Sequence, residues 1–357
     1  MRLGVDTYSL RFQGWNAFQT LDYAAKLDLD VVQFSTRENL ASHDPGYLAE
    51  VKAHAGRLGL DIELGMGSID RYAASFRPEL GTGAAQLTDM CHAAARLGSP
   101  VVRCFLGMQS DRLGAVPFPE HVAECRRTLQ EVAPLARDLQ LKIAIENHGF
   151  GDFLADELKT LVEEAGPDYA AVTLDTGNPA YAAEDPLYSS EVLAPYVATT
   201  HFRDTAIWED EQGAQAQWTI LGKGTVDLEA IRQVLEARCP HVAVDLETIT
   251  GGAPRAIPYF DPQSAFWKLY PDMPARSLAR YVALARKGTQ AGAGPLDQLT
   301  GQPGPNVGSE VAERLREQQC DHFEQSVAYA RERLGLGERL RMPNAATEHT
   351  EDAEDTE

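Results

Sequence analysis

Four polar residues in the second half of the chain each stand at the end of a short apolar run, and their types suit a divalent metal. They are Glu146, Asp175, His201 and Glu247. A short, nearly continuous apolar run is typical of a buried parallel β-strand, so each polar side chain is expected where a strand leaves the core. Three carboxylates and one imidazole favour Mn²⁺, with Mg²⁺, Co²⁺ or Zn²⁺ as alternatives.

Electrostatics gives a second reason to expect a metal. Carboxylates brought together without a cation raise one another's pKa and cost several kcal/mol in repulsion and desolvation, and a divalent ion removes both costs. Taken singly, each residue has a simpler explanation. A Glu or Asp at a strand end commonly caps a helix or holds a loop, and a lone buried His commonly makes a hydrogen bond. The metal interpretation therefore depends on all four lying together.

The elements that would bring them together are eight strand-like runs that alternate with helical patterns. The runs cover residues 3–8, 31–34, 60–64, 101–105, 141–146, 171–175, 197–201 and 242–247. Strict alternation of this kind is typical of a parallel sheet with crossover helices, and the number predicts a (β/α)₈ TIM barrel over residues 1–288. The carboxyl ends of the strands meet at one face of such a barrel, so the four polar residues should converge.

Three further segments follow the predicted barrel. Residues 289–308 are rich in Gly, Pro and Gln and indicate a linker, whereas 309–335 carry an apolar stripe at helical spacing. That amphipathic C-terminal helix must bury its apolar side against its own barrel or against a second subunit, and the second alternative predicts a homo-oligomer. Residues 336–357 are acidic and are expected to be disordered.

Composition excludes several classes of protein. The 357 residues are 44% apolar and 24% charged, which is typical of a globular protein, and the formal net charge of -21 argues against nucleic-acid and anionic-membrane partners. The five cysteines show no CxxC spacing and are expected to be reduced core residues. No apolar run approaches the ~20 residues of a membrane span, and the first residues show no signal-peptide pattern, so we expect a cytoplasmic protein.

The residues around the four candidate ligands resemble a known family. Ile-Glu146-Asn-His, Leu-Asp175-Thr-Gly-Asn and Thr-His201-Phe-Arg-Asp, together with Glu247, are similar to the ligand motifs of the xylose isomerase-like TIM barrel superfamily. This is the sugar phosphate isomerase/epimerase group, which includes ketose 3-epimerases, inosose dehydratases and inosose isomerases. The resemblance is specific for fold and metal rather than for substrate.

The resemblance implies a divalent-metal-dependent isomerase or epimerase acting on a sugar, keto-sugar or cyclitol. Glu146 and Glu247 would exchange protons with a substrate carbon through a metal-bound enediolate, while Asp175 and His201 fix the ion. A lyase or dehydratase on the same scaffold, of the inosose dehydratase type or eliminating across a 3-keto-glycoside, is the alternative. Both reactions begin with the same deprotonation.

Other residues are candidates for catalysis or substrate binding. His148 is a candidate acid/base or hydroxyl partner, or a structural residue of its loop. The remaining candidates for substrate binding are Arg203, Asp152, Asn178, Arg103 and Trp267. In the family's epimerase pattern an acid lies six residues after the first ligand, where Asp152 stands, and a histidine lies three after the second. The second position is Asn178 here, which argues against a ketose epimerase.

The roles of Arg203 and Trp267 have open alternatives. Arg203 would hold a substrate oxygen or carboxylate, or an ion pair near Asp204. Trp267 belongs to an aromatic loop over residues 259–270 that would stack on a sugar or aglycone, pack in the core, or form a subunit contact. The superfamily also contains apurinic endonucleases, but their zinc cluster needs more histidines near strand ends than this acidic chain offers. A non-catalytic binding protein is the last alternative.

Overall fold

The computed structural model describes residues 1–337, so residues 338–357 of the predicted acidic tail lie outside the described residues. Eight parallel strands form a nearly closed barrel: β1 (Leu3–Asp6), β2 (Val31–Phe34), β3 (Asp61–Ser68), β4 (Val101–Phe105), β5 (Lys142–Glu146), β6 (Ala170–Asp175), β7 (Val197–His201) and β10 (Val244–Leu246). Their order in the sheet is β10-β1-β2-β3-β4-β5-β6-β7. The bridge between Phe202 and Leu246 brings the two edges together. The predicted (β/α)₈ TIM barrel is therefore confirmed.

Within residues 1–337, ten α-helices surround or extend the barrel. They are α1 (Ala17–Lys26), α2 (Pro45–Leu58), α3 (Gly83–Leu97), α4 (Phe118–Asp138), α5 (Ala155–Ala165), α6 (Pro186–Leu193), α7 (Leu228–Arg238), α8 (Phe266–Leu269), α9 (Ala275–Gln290) and α10 (Ser309–Leu334). Local sequence sets their ends: Asn16 and Gln19 form a capping box at the start of α1, and Gly59 ends α2 in the left-handed conformation. Among the described helices, none is both long and apolar enough to cross a lipid bilayer.

A second, three-stranded antiparallel sheet is formed by two strands between β7 and α7 and one strand after β10, and it was absent from the sequence prediction. It consists of β8 (Asp204–Asp210), β9 (Gly213–Thr219) and β11 (Arg255–Ile257), in the order β11-β9-β8. The sequence gives little sign of this sheet, because β9 alternates Gln with Ala rather than with large apolar residues. The sheet rests on α9 and on a second apolar cluster that contains Ile207 and Tyr281.

The C-terminal extension packs on its own barrel. Phe323, Val327 and Leu334 of α10 are buried in the main apolar core. The segment between α9 and α10 has no helix or strand, yet it is held in place, since the Gly301 N–H donates to the Gly251 carbonyl at 2.9 Å. The apolar side of α10 is thus covered within the chain, and the homo-oligomer stays a prediction.

Two helical glycines give a matched test of this packing. A Cβ at Gly288 of α9 would lie 1.9 Å from the Ile207 carbonyl oxygen of β8, whereas a Cβ at Gly56 of α2 meets nothing within 4 Å. We expect Gly288→Ala to lower the free energy of unfolding by about 1–3 kcal/mol, because backbone must shift. Gly56→Ala should raise it by about 0.5–1 kcal/mol. Urea unfolding midpoints measure both, and equal shifts would contradict the α9 packing.

Candidate metal centre

The four predicted ligands converge at the carboxyl ends of the strands. Glu146, Asp175 and His201 are the last residues of β5, β6 and β7, and Glu247 directly follows β10. Each offers one ligand atom, and these atoms all lie within 4.8 Å of one another. All four side chains are buried. A buried Glu, Asp, His and Glu cluster of this size could bind a divalent metal.

Two arginines lie in the same cluster. Their positive charges were not included when the need for a metal was inferred from the sequence. Arg103 Nε donates to Glu146 Oε2 at 2.5 Å. Arg203 Nε donates to Asp175 Oδ1 at 3.0 Å, and its Nη1 lies 3.0 Å from Glu247 Oε2. Part of the carboxylate charge is thus balanced by the chain itself. Repulsion among carboxylates alone therefore does not require an ion.

Unpartnered atoms make the stronger case that a metal fits here. Glu146 Oε1, His201 Nδ1 and Glu247 Oε2 are buried and make no hydrogen bond within residues 1–337. Glu247 Oε2 keeps its ion pair with Arg203, and His201 Nδ1 lies 3.2 Å from Glu146 Oε2, but neither contact has hydrogen-bond geometry. A buried polar atom without a partner costs roughly 1–3 kcal/mol, and these three belong to three of the four candidate ligands. Carboxylate oxygens and an imidazole nitrogen are ligands that Mn²⁺, Mg²⁺ and Zn²⁺ accept. The donor set and the unpartnered atoms both fit a divalent ion.

The two glutamates of the cluster have opposite pKa shifts in the metal-free protein. Burial raises the pKa of Glu146, but Arg103 and His201 outweigh it and hold that pKa well below its usual range. Burial raises the pKa of Glu247 to about 8, against the opposing pull of Arg203 and His201. One carboxyl is therefore ionised at neutral pH while the other retains its proton, a contrast found in acid/base pairs.

The imidazole of His201 is oriented by Gln33, which the sequence prediction missed. Gln33 Oε1 lies 2.6 Å from His201 Nε2, and Gln33 Nε2 donates to Thr199 Oγ1 at 2.6 Å and to Glu63 Oε2 at 3.1 Å. Because the amide nitrogen of Gln33 is committed to acceptors, its oxygen must accept the proton of His201 Nε2. Nδ1 is then directed toward Glu146 Oε2, at 3.2 Å. A polar residue inside the apolar run of β2 was the signal for Gln33.

This orientation predicts a loss of metal affinity on substitution of Gln33. Gln33→Met removes the nearer of two acceptors for His201 Nε2, the other being Asp6 Oδ2 at 3.3 Å, and loss of such an outer contact typically weakens metal binding by about 10–100-fold. We expect the Kd for Mn²⁺, measured by calorimetric titration, to rise by about tenfold or more. Gln325→Met, on the exposed side of α10, is the matched control. Equal Kd values for both variants would show that Gln33 does not support metal binding through His201.

A cavity of about 630 Å³ opens above the cluster. Glu247, Arg103 and Arg203 are among the residues at its wall. Trp218 reaches it from β9, and Phe150 stacks on Trp218 with ring centroids 4.6 Å apart. Gly301 and Gln302 of the C-terminal extension also line it. Trp218 and the extension come from elements whose position the sequence did not indicate.

Two of the other predicted site residues also line this cavity. His148 stacks on Phe105 with ring centroids 3.8 Å apart, and its Nδ1 lies 2.7 Å from the Gly107 carbonyl oxygen. Burial lowers the pKa of His148 to about 4, so the ring is neutral. Asn178 accepts from the Phe150 N–H at 3.1 Å and donates to the Asn147 carbonyl at 3.0 Å. Both side chains are thus held firmly at the cavity wall.

Asp152 and Trp267 do not line the cavity. The buried carboxylate of Asp152 accepts the N–H groups of His148 and Phe153, both at 2.7 Å, and so holds the loop after β5. Trp267 packs edge-on against Phe266, with ring centroids 5.0 Å apart, in the second apolar cluster. The substrate contacts predicted for these two residues find no geometric support here.

Comparison with known proteins identifies a matching family. The family model described as the xylose isomerase-like TIM barrel matches residues 21–267. A comparison with proteins of curated function finds no significant match.

Three solved structures illustrate the likeness in fold. D-psicose 3-epimerase of Clostridium cellulolyticum H10 is 16% identical, with a TM-score of 0.57 over 82% of this chain and 98% of that one. A xylose isomerase-like TIM barrel protein of Mycobacterium smegmatis, in complex with magnesium, is 14% identical, with a TM-score of 0.55 over 80% and 97%. The probable 3-DHS dehydratase AsbF of Bacillus anthracis is 16% identical, with a TM-score of 0.53 over 70% and 94%. Identities this low show the fold alone.

Proposed function

The chain belongs to the xylose isomerase-like TIM barrel family, and from this premise we propose that it is a divalent-metal-dependent isomerase or epimerase. Its substrate would be a sugar, keto-sugar or cyclitol. One observation carries the proposal: ligand atoms of Glu146, Asp175, His201 and Glu247 gather within 4.8 Å, and Glu247 lines a cavity of about 630 Å³. A structural polar cluster in the core would not need access to such a cavity.

The same four residues would hold the ion, and Mn²⁺ is our choice because the set mixes imidazole nitrogen with carboxylate oxygen. A bound divalent ion supplies Lewis acidity, which lowers the pKa of a C–H group beside a substrate carbonyl. Gln33 contributes by keeping His201 Nδ1 directed toward the cluster, as its 2.6 Å contact with Nε2 indicates. Asp175 is kept in place by the Gly177 and Asn178 N–H groups, both 2.7 Å from its Oδ1.

Proton transfer to and from carbon would fall to Glu146 and Glu247. Glu247 lies at the cavity wall, and Arg203 Nη1 at 3.0 Å from its Oε2 fixes the direction of its carboxyl group. Glu146 is fixed in the same way by Arg103. Two carboxyl groups held at the ends of different strands can act on one carbon in sequence, so that one removes the proton and the other returns it.

His148 would act on a substrate hydroxyl. Its Nδ1 is committed to the Gly107 carbonyl at 2.7 Å, which leaves Nε2 as the acceptor on a neutral ring. Arg203 would hold a substrate oxygen, since its guanidinium also lines the cavity.

A lyase is the second candidate, and the cavity is large enough for its substrate. About 630 Å³ lies within the range of sites for drug-sized ligands, so a ring with an attached leaving group has room. If that group departs after the first proton transfer, the product is unsaturated and no proton returns to carbon.

Incubation in deuterated water tests the proposal. The Mn²⁺-loaded protein is mixed with a panel of keto-sugars and inososes, and products are followed by NMR and mass spectrometry, with an EDTA-treated sample as control. Metal-dependent deuterium beside the carbonyl, without elimination, is the result that we expect. An unsaturated product supports the lyase instead. Absence of both reactions across the panel contradicts the proposed enzyme and favours a binding protein.

A further inference from the structure

Arg11 lies at the wall of the cavity without a carboxylate partner. The residue follows β1, and its guanidinium donates to two carbonyl oxygens, from Nη1 to Tyr8 at 3.1 Å and from Nη2 to Thr250 at 2.8 Å. The rings of Tyr8 and Phe12 lie 4.6 and 4.4 Å from its Cζ atom. Within residues 1–337, no carboxylate oxygen lies within 4.0 Å of the guanidinium nitrogens of Arg11, so Arg11 forms no ion pair there. The aromatic rings stabilise a cation but do not neutralise it.

The contrast with the other cavity arginines is clear. Arg103 pairs with Glu146, and Arg203 pairs with Asp175 and Glu247. Arg11 is the third arginine at the same wall, and burial lowers its pKa, as expected for a cation whose environment does not fully compensate it. A guanidinium presents five N–H donors, and the two carbonyl contacts leave donors available for a ligand.

The C-terminal extension holds Arg11 in this position from both sides. On one side, Thr250 Oγ1 lies 2.8 Å from His322 Nδ1 of α10, which fixes the carbonyl that receives Arg11. On the other side, the Phe12 N–H donates to Gln319 Oε1 at 2.9 Å, and Arg316 Nε donates to the Phe12 carbonyl at 3.0 Å. A helix some 300 residues away in sequence thus fixes this cation at the cavity before any ligand arrives. Such preorganisation lowers the entropy cost of binding.

We propose that Arg11 binds a carboxylate of the substrate, so that the substrate is a sugar or cyclitol acid; this inference rests on the proposed function. One planar guanidinium matches one carboxylate in geometry and charge. A phosphate ester carries about two negative charges and usually accepts hydrogen bonds from several donors. The described wall of the cavity holds no lysine and only one arginine without an ion pair. Because the chain as a whole carries a net charge of -21, an anionic substrate needs a local cation to bind.

The test compares acids with their neutral counterparts. Affinities for the Mn²⁺-loaded protein are measured by calorimetry for D-fructuronate against D-fructose and for D-tagaturonate against D-tagatose, with D-fructose 6-phosphate as the phosphate arm. The variants are Arg11→Gln and Arg11→Lys, and Arg276→Gln, an exposed arginine of α9, is the control. At least one acid should bind about tenfold more tightly than its neutral counterpart.

Arg11→Gln should abolish that preference, Arg11→Lys should retain part of it, and Arg276→Gln should leave it intact. The proposal is overturned if no acid in the panel binds more tightly than its neutral counterpart, or if the preference survives in Arg11→Gln. It is also overturned if the phosphate ester binds most tightly with the same dependence on Arg11. Affinity is independent of turnover, so absence of deuterium exchange would contradict the proposed function without deciding this point.

Discussion

The Glu247→Gln variant is expected to lose metal-dependent solvent exchange by about 10³-fold or more, with the fold intact. Positioned acid/base groups contribute about 10²–10⁴-fold to rate, and this residue is also a candidate metal ligand. Glu247 is only 6% exposed, and its carboxyl group is held by Arg203. Gln preserves the size of the side chain while removing its ability to exchange a proton.

Exchange rates in deuterated water, at saturating Mn²⁺, measure this effect. Glu209→Gln is the matched control, because Glu209 lies on β8 and pairs with Arg286 away from the cavity. Circular dichroism checks that both variants fold. A Glu247→Gln protein that exchanges at a rate near that of the wild type would remove Glu247 from the proposed chemistry.

The Arg203→Met variant is expected to lower the stability of the metal-free protein by about 3–5 kcal/mol, because it leaves the buried carboxylate of Asp175 and the buried carboxyl group of Glu247 without their cationic partner. Arg203 contacts Asp175 and Glu247, and its guanidinium stands 4.4 Å from the ring of Trp218. Saturating Mn²⁺ should reduce this loss, since the ion would supply the missing positive charge and stabilises whichever state binds it.

Urea unfolding with EDTA and with Mn²⁺ measures both quantities. Arg232→Met on α7 serves as control, since Arg232 pairs with Glu229 and Glu236 at the surface, and such pairs contribute about 1 kcal/mol or less. Equal losses for Arg203→Met and Arg232→Met would show that the arginine does not balance the cluster. A loss that Mn²⁺ leaves unchanged would argue against a metal among these carboxylates.

The barrel and its four convergent residues could be predicted because both follow from local pattern. Each strand is a short apolar run, and parallel strands deliver their last residues to one face, as Glu146 and His201 show. The C-terminal helix could be predicted for the same reason, since the apolar stripe that includes Phe323 and Val327 has helical spacing.

Contacts between distant parts of the chain could not be predicted in this way. The link between Phe12 and Gln319 joins residues 307 apart, and no local pattern records such a pairing. Arg103 was a candidate at a strand end, but its pairing with Glu146 depends on the register of neighbouring strands. The antiparallel sheet that carries Trp218 was missed because small residues replace the large apolar ones that mark a strand.

The most direct test of the proposed metal site is the anomalous diffraction of a crystal soaked in Mn²⁺. We expect one ion per chain, coordinated by Glu146, Asp175, His201 Nδ1 and Glu247. An ion bound elsewhere, or no ion among these four residues at millimolar Mn²⁺, would contradict this expectation.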